Sequence, residues 1–330
     1  MSESTSTQSG ADLRRTAMDL LARREHSQRE LRDKLKRRFS DEEQIEVEVQ
    51  RLAGLYGRQT AAHFRYTPGT ATTETNGVQE LLANAAALKA PALASHFNNP
   101  GYNLVHELLV RMRDQGYNVW GEIYPYAAGS TALNAVFLKP EMWVDTLGNK
   151  YEDTLMDATT NEYFTLETYQ EMVKKEPTRQ VVVFKMPESA IVDWLRMPGV
   201  TLITDGMPMF PDDKLSWDTP YEELPNGHPR LAGSFSAAFR LARENNIPLM
   251  QIVAMSSYNS AKPLGKTGLK AMQERGRMQE GMVADITVFD PETITDNATY
   301  KQGTIPSIGI PYVVVNGTIV VKGIRRCSRA

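Results

Sequence analysis

The chain has 330 residues, of which 41% are apolar, and its formal net charge is -3 at pH 7. This composition is ample for a globular core and gives no overall attraction to nucleic acid or membranes, so any basic surface has to be local. No apolar run reaches the ~18 residues that a membrane-spanning helix needs, residues 1–10 form a polar tail, and the single cysteine, Cys327, excludes an intramolecular disulfide. These features predict a cytoplasmic protein.

Residues 11–53 predict three short helices. Apolar residues recur there at helical spacing, which gives each helix one apolar stripe and one charged face. Capping boxes are predicted where Ser27 precedes Glu30 and where Ser40 precedes Glu43. The apolar stripes are Leu13, Ala17, Leu20 and Leu21, then Leu31 and Leu35, then Ile45, Val49 and Leu52.

The same region is strongly basic, with ten Lys or Arg against five Asp or Glu between Asp12 and Arg38. A run of this kind is often a solvated helix face, and that alternative stays open. The run LLARREHSQRELRDKL resembles the first three-helix repeat of RecX, a bacterial regulator that binds filaments of the recombinase RecA. The resemblance implies that basic residues contact RecA or DNA, with Arg23, Arg24, Arg37 and Arg38 as candidates.

Residues 54–65 contain glycines without sustained periodicity and predict a junction between two units. His63 lies in this junction, where a lone histidine is expected to be a solvated side chain. The next region, residues 66–275, alternates helices with apolar strands, which is typical of a parallel sheet. Helices are predicted at 75–90, 102–115, 234–245 and 249–258, and strands at 91–97, 118–124, 180–186 and 200–204.

Three motifs follow predicted strands, where the loops of a parallel sheet converge. ASHF places His96 at a strand end, EIYPYAAGST carries the hydroxyls of Tyr124, Tyr126 and Ser130, and ITDGMP contains Asp205. An imidazole in such a position can bind zinc, and a carboxylate beside a metal-activated water suits amide hydrolysis. By spacing alone, a core histidine and a bare Asp-Gly turn remain open alternatives.

The C-terminal segment, residues 276–322, predicts β structure. A strand is expected over 282–290, and the strands 310–315 and 318–321 flank Asn316-Gly317, a strong hairpin turn signal. Residues 323–330 form a basic tail.

Residues 66–322, through these motifs and the segment from Gly276 to Val321, resemble the C-terminal half of the N-acyl-D-amino-acid deacylase (D-aminoacylase) group of zinc amidohydrolases. The resemblance implies an incomplete (β/α)8 barrel with C-terminal β-sandwich strands. It implies zinc as the cofactor, with His96 and Asp205 as ligands and Asp205 also as general base and acid. It further implies that Arg230, in the HPRLAGSF segment, binds the substrate carboxylate together with the tyrosine and serine hydroxyls named above.

The His-x-His pair that carries the first two ligands of that family does not occur in these 330 residues. Because catalytic zinc normally keeps three protein ligands, the expected protein is a truncated and inactive relative of enzymes that cleave N-acyl-D-amino acids. Two alternatives stay open: a RecX-type regulator of RecA, and a rearranged gene product without independent function. The open edges of an incomplete sheet predict self-association.

Overall fold

The computed structural model describes residues 10–23, 28–55, 59–63, 77–206, 219–220, 223–224, 226–323 and 325–326. These residues form an N-terminal three-helix unit, a parallel sheet packed against helices, and two antiparallel sheets. The α/β class and the small three-helix unit are thereby confirmed. No helix within the described ranges is long and apolar enough to cross a membrane.

Strands and helices alternate along most of the chain. The strands are β1 (Thr60–Ala62), β2 (Ala92–Ala94), β3 (Val119–Ile123), β4 (Ala128–Ala132), β5 (Leu155–Asp157), β6 (Gln180–Phe184), β7 (Thr201–Leu202), β8 (Ile286–Val288), β9 (Tyr312–Val315), β10 (Thr318–Lys322) and β11 (Arg325–Arg326). The helices are α1 (Gly10–Arg23), α2 (Gln28–Lys36), α3 (Glu42–Leu55), α4 (Gly77–Leu88), α5 (Tyr102–Asp114), α6 (Tyr151–Thr154), α7 (Leu166–Lys175), α8 (Ser189–Arg196), α9 (Arg230–Glu244), α10 (Leu249–Val253), α11 (Asn259–Lys266) and α12 (Lys270–Gln273). Short 3-10 and π-helical turns lie at Val136–Leu138, Glu141–Thr146 and Ala254–Tyr258.

The three-helix unit has its own apolar core. The predicted stripes meet inside it, which confirms the helical spacing read from the sequence. Its buried members are Leu13, Ala17, Leu31, Leu35, Ile45, Val49 and Leu52.

The start of α3 differs from the predicted capping box at Ser40. The carboxylate Oδ1 of Asp41 accepts a hydrogen bond of 3.0 Å from the backbone N–H of Gln44, so Asp41 caps the helix. An aspartate is as good an N-cap as a serine, and its charge also complements the helix dipole. Ser27, the other predicted cap, lies outside the described residues.

The parallel sheet has the strand order β1-β2-β3-β7, and each neighbouring pair is parallel. Helices α4 and α5 connect its strands and pack on one face, where Gly121 of β3 lies against Phe97 and Leu109. A methyl group on Gly121 would lie 2.5 Å from the Phe97 ring, so only glycine allows this approach.

Strand β1 corrects the expected linker, because Thr60–Ala62 pairs with Ala92–Ala94. Three residues are too few to show strand periodicity in a sequence.

A second correction concerns the predicted strand at 180–186. It forms β6, which pairs antiparallel with β4 and β5 in a separate sheet instead of joining the parallel one.

The C-terminal sheet has the order β11-β10-β9-β8. Strands β9 and β10 pair through the predicted turn at Asn316 and Gly317, which confirms the hairpin. The strand expected over 282–290 is shorter and covers only β8.

The three-helix unit packs on the rest of the protein through α3 and α4. Gln50 of α3 is 1% exposed, and its side-chain amide donates a hydrogen bond of 3.4 Å to the backbone oxygen of Leu81 in α4. A buried amide requires such a partner, so this contact fixes α3 against α4.

Candidate functional site

The candidate site lies where the strands of the parallel sheet end. His63 follows β1, His96 follows β2, and Asp205 follows β7 after two further residues, while Glu122 is the penultimate residue of β3. Because β1, β2, β3 and β7 are neighbours in that order, these four side chains come from adjacent carboxyl ends. Strand order therefore brings together residues that are far apart in sequence.

His63 and His96 are in direct contact. The Nδ1 atom of His63 lies 2.6 Å from Nε2 of His96, and the ring centroids are 4.4 Å apart. One ring nitrogen must carry the shared proton while the other accepts it. His63 is exposed, as expected, but it is not isolated, because the sequence did not reveal the strand that places it beside His96.

Desolvation keeps His96 neutral. It lowers the pKa of His96 from the ordinary 6.5 to about 4, although the nearby Asp205 carboxylate acts in the opposite direction. Neutral imidazole is the form that binds metal ions. The backbone of His96 is left-handed, with φ of 31°, which is uncommon for a residue with a side chain.

Glu122 supports the turn that carries His96. Its side chain accepts hydrogen bonds from the Ser95 hydroxyl and from the backbone N–H of His96, and its own backbone oxygen accepts a 3.0 Å bond from Phe97 N–H. Burial raises the pKa of Glu122 to about 7, with a smaller contribution from Asp205 in the same direction. This carboxyl group can therefore accept or release a proton near neutral pH.

Asp205 is paired with Arg230. The carboxylate Oδ2 lies 2.7 Å from a terminal guanidinium nitrogen of Arg230, which is 2% exposed. The guanidinium carbon also lies 4.6 Å from the centre of the Tyr124 ring. Asp205 has a left-handed backbone with φ of 47°, and the following Gly206 donates a 3.2 Å hydrogen bond to the hydroxyl of Thr204.

His228 links the start of α9 to strand β4. Its Nε2 lies 2.9 Å from the backbone oxygen of Ala128, and its Nδ1 lies 3.1 Å from the backbone nitrogen of Arg230. The carbonyl can only accept and the amide can only donate, so the proton of the neutral ring is on Nε2. Burial and the nearby Arg230 lower the pKa of His228 to about 3.

The two tyrosines and the serine of the EIYPYAAGST motif do not lie at one place in the structure. The Tyr124 side chain is buried beneath Arg230, whereas the hydroxyl of Tyr126 contacts Gly233 of α9. Ser130 lies in β4 opposite Val182 and takes no part in the contacts above. Sequence reasoning also missed Lys185, which follows β6 and donates a hydrogen bond to the side-chain oxygen of Asn99.

The site offers the donor types that zinc prefers but few of them. His63 and His96 present two imidazole nitrogens 2.6 Å apart, and imidazole nitrogen is a donor that zinc binds. Asp205 is the acidic ligand predicted from the sequence, but its carboxylate is held by Arg230. Within the described ranges, no group of three His, Cys, Asp or Glu side chains is arranged to hold a metal ion.

The basic face of the three-helix unit is partly neutralised within the unit. Arg32 forms two hydrogen bonds of 2.7 and 2.8 Å with Glu46, and Lys36 lies 2.9 Å from Glu42. Arg37 and Arg38 are exposed. Arg24 and the side chain of Arg23 lie outside the part of the chain that the structure describes.

Comparison with known proteins confirms both resemblances read from the sequence. Residues 14–52 match the family model described as RecX, first three-helix domain. RecX from Pseudomonas putida is 50% identical over 62 residues, which cover 18% of this chain and 44% of that protein.

The larger part of the chain is similar to amidohydrolases. D-aminoacylase from Alcaligenes xylosoxydans xylosoxydans is 25% identical over 292 residues, which cover 83% of this chain and 54% of the relative. A similar solved structure is that of N-acyl-D-glutamate deacylase from Bordetella bronchiseptica in complex with zinc and a phosphonate inhibitor. The two structures have a TM-score of 0.65 and a sequence identity of 25%. The match covers 84% of this chain and 56% of that one. The chain thus spans about half the length of the amidohydrolases it matches.

We expect replacement of His228 by Gln to weaken the acid sensitivity of folding. The pKa of His228 in the folded protein, about 3, is below its unfolded value of 6.5, so its stabilising effect is present above pH 6.5 and is lost as the pH falls. Between pH 6.5 and 5 the wild type should lose about 2 kcal/mol of unfolding free energy through this group. Urea unfolding of both proteins at several pH values measures the difference, and parallel pH profiles would contradict the assignment.

Proposed function

We propose that the α/β part of this chain is a D-aminoacylase-like amidohydrolase, built to cleave the C–N amide bond of N-acyl-D-amino acids, and that the chain by itself is inactive. The observation that carries the proposal is the row formed by His63, His96, Glu122 and Asp205 at adjacent strand ends. Similarity to a D-aminoacylase over 83% of the chain supports the same reaction class. We take the four parallel strands as part of an incomplete (β/α)8 barrel.

Each group of the site has a proposed role. His63 and His96 would be the nitrogen donors to zinc, and Asp205 would have to leave Arg230 to become a third ligand. Zinc, when bound in such a site, supplies a nucleophile by lowering the pKa of a water. Asp205 would accept the proton of the attacking water and return it to the leaving amine. Arg230 pairs with the Asp205 carboxylate and orients it. Glu122 holds the turn that presents His96.

The expected inactivity follows from the number of metal donors. Three protein ligands are usual for catalytic zinc, and the described residues provide the pair of histidines and a carboxylate that already has a cationic partner. An ion held by so few donors stays largely hydrated and easily lost. The substrate therefore has no strongly activated water at neutral pH.

A second candidate function is RecA regulation through the N-terminal unit. The specific observation is the separate buried core of α1, α2 and α3, which coincides with the RecX match over residues 14–52. Exposed Arg37 and Arg38, with Arg23 and Arg24, would then contact a RecA filament or its DNA.

The first prediction of this proposal concerns metal. We expect the purified chain, after dialysis against zinc-free buffer, to retain much less than one zinc per molecule. Added zinc should bind weakly, and His63→Asn and His96→Asn should weaken it further, because each removes one of the two paired imidazoles. His106→Asn is the matched control, since His106 lies on α5 and bonds to Pro198. One tightly held zinc per chain by elemental analysis would show that the donor count is wrong.

The second concerns catalysis. Hydrolysis of N-acetyl-D-amino acids should equal the buffer rate even with zinc added, because a metal hydroxide at neutral pH requires a well-ligated ion. Amine release can be followed with a D-amino-acid oxidase coupled assay. Activity above buffer that disappears in Asp205→Asn would establish an active enzyme and overturn the proposed inactivity.

The third concerns the basic unit. Binding of the full chain to RecA filaments on single-stranded DNA should be weak and should weaken further as salt rises, because the contacts are mainly electrostatic. Replacing Arg23, Arg24, Arg37 and Arg38 by Ala should abolish it. A control variant replaces Lys270 and Arg277, which are exposed on the α/β part. If both variants bind RecA filaments with equal affinity, the basic residues of the three-helix unit are only a solvated helix face.

A further inference from the structure

Three cations surround one tryptophan at the amino ends of the parallel strands, away from the strand ends that carry the candidate site. Trp120 is the second residue of β3 and is 4% exposed. The guanidinium carbon of Arg113, in the last turn of α5, lies 4.9 Å from the centre of its ring. The ammonium nitrogens of Lys262 and Lys266, one turn apart on α11, lie 5.5 and 5.9 Å from the same ring. Three positive charges therefore share one indole.

Asn118 fixes the indole and helix α11 relative to each other. Its side-chain oxygen accepts a hydrogen bond of 2.9 Å from Nε1 of Trp120, and its side-chain amide donates one of 3.0 Å to the backbone oxygen of Pro263. Pro263 directly follows Lys262, so this contact holds the helical turn that carries the lysines. The fold thereby places the cations on regular elements, where their positions are well defined.

The cluster has no paired counterion. Among the residues whose positions are described, no carboxylate lies within 4.0 Å of Arg113, Lys262 or Lys266. Asp114 acts on Arg113 only at longer range, and burial lowers the pKa of Arg113. An aromatic ring attracts each cation through its quadrupole but carries no net charge, so it leaves the repulsion between the cations in place.

The carboxyl ends of two helices account for part of this positive charge. Arg113 and Lys266 lie in the last turns of α5 and α11, where a cation is favourable. Each helix end supplies only about half a negative charge, which is less than the cluster carries. The dipoles also give no reason for Lys262 and Lys266 to meet Arg113 at one ring.

We propose that Arg113, Lys262 and Lys266 form a binding site for an oxyanion with several negative charges, such as a diphosphate group. An anion of this kind removes the repulsion between the cations and accepts charge-assisted hydrogen bonds from all three. Free pyrophosphate and the diphosphate of a nucleotide share this chemistry. The site lies at the other end of the strands from the groups assigned to hydrolysis, so it does not depend on the proposed function.

The test uses the full chain at low ionic strength with pyrophosphate as the probe. Isothermal titration should show saturable binding that weakens as salt rises. Tryptophan fluorescence should change on binding, because the cations that cover Trp120 are drawn to the anion. Trp120→Phe should keep the binding heat and lose the fluorescence change. A fluorescence change that persists in Trp120→Phe would place the anion elsewhere and overturn the proposal.

A pair of double variants separates a local site from general charge. Lys262→Met with Lys266→Met should bind pyrophosphate at least about tenfold more weakly, because two charge-assisted contacts are lost. Lys150→Met with Lys301→Met removes the same charge from exposed positions elsewhere and should leave the affinity unchanged. Glutamine replaces methionine at positions 262 and 266 if that protein does not fold by circular dichroism.

Two further ligands identify the source of the oxyanion. ADP that binds as tightly as pyrophosphate shows that the diphosphate alone is recognised, and tighter binding shows a nucleotide site, while adenosine should not bind. Three results would overturn the proposal: no binding of pyrophosphate or ADP by wild type, an equal loss in both double variants, or reduced stability of the Lys262 and Lys266 variant with unchanged affinity. The last result would leave the cations as partners of the helix ends only.

Discussion

The ion pair between Asp205 and Arg230 joins the strand ends of the parallel sheet to the start of helix α9. Asp205 follows the end of the parallel sheet and Arg230 opens α9, so their contact joins these two elements. Arg230 is almost completely buried, and removing its carboxylate would leave an unpaired cation at a cost of about 3–5 kcal/mol. Asp205 is consequently needed to stabilise the packing of α9 against the sheet.

The N-terminal unit is attached by a defined contact and not by a free tether. A three-helix unit of this length buries too little surface to be very stable alone, and neighbouring structure normally supplies the rest. In this chain α4 of the α/β part supplies it, with buried Gln50 fixing the alignment. The face of α3 that meets α4 is thereby withdrawn from other partners, so any RecA contact has to use the opposite side of the unit.

The sequence predicted those features that depend on local spacing. The apolar stripes of the first three helices and the turn at Asn316 and Gly317 repeat over short distances, and both are confirmed. His63 and Lys185 were missed because their importance depends on tertiary structure. The strand before His63 has three residues, and the strand before Lys185 belongs to another sheet. Glu122 gave a weak signal, as a carboxylate within an otherwise apolar strand.

The left-handed backbone at His96 and Asp205 costs stability at both positions, but an ion pair offsets that cost only at Asp205. Such a conformation costs a residue with a side chain about 1–2 kcal/mol, and glycine would adopt it without strain. A lineage under no selection for chemistry would gain stability by drifting to glycine at position 96, whereas at position 205 the loss of the ion pair with buried Arg230 outweighs the relief of strain. The imidazole at position 96 is therefore the side chain whose loss relieves strain without breaking a buried ion pair, and a glycine there would be a sign of relaxed selection.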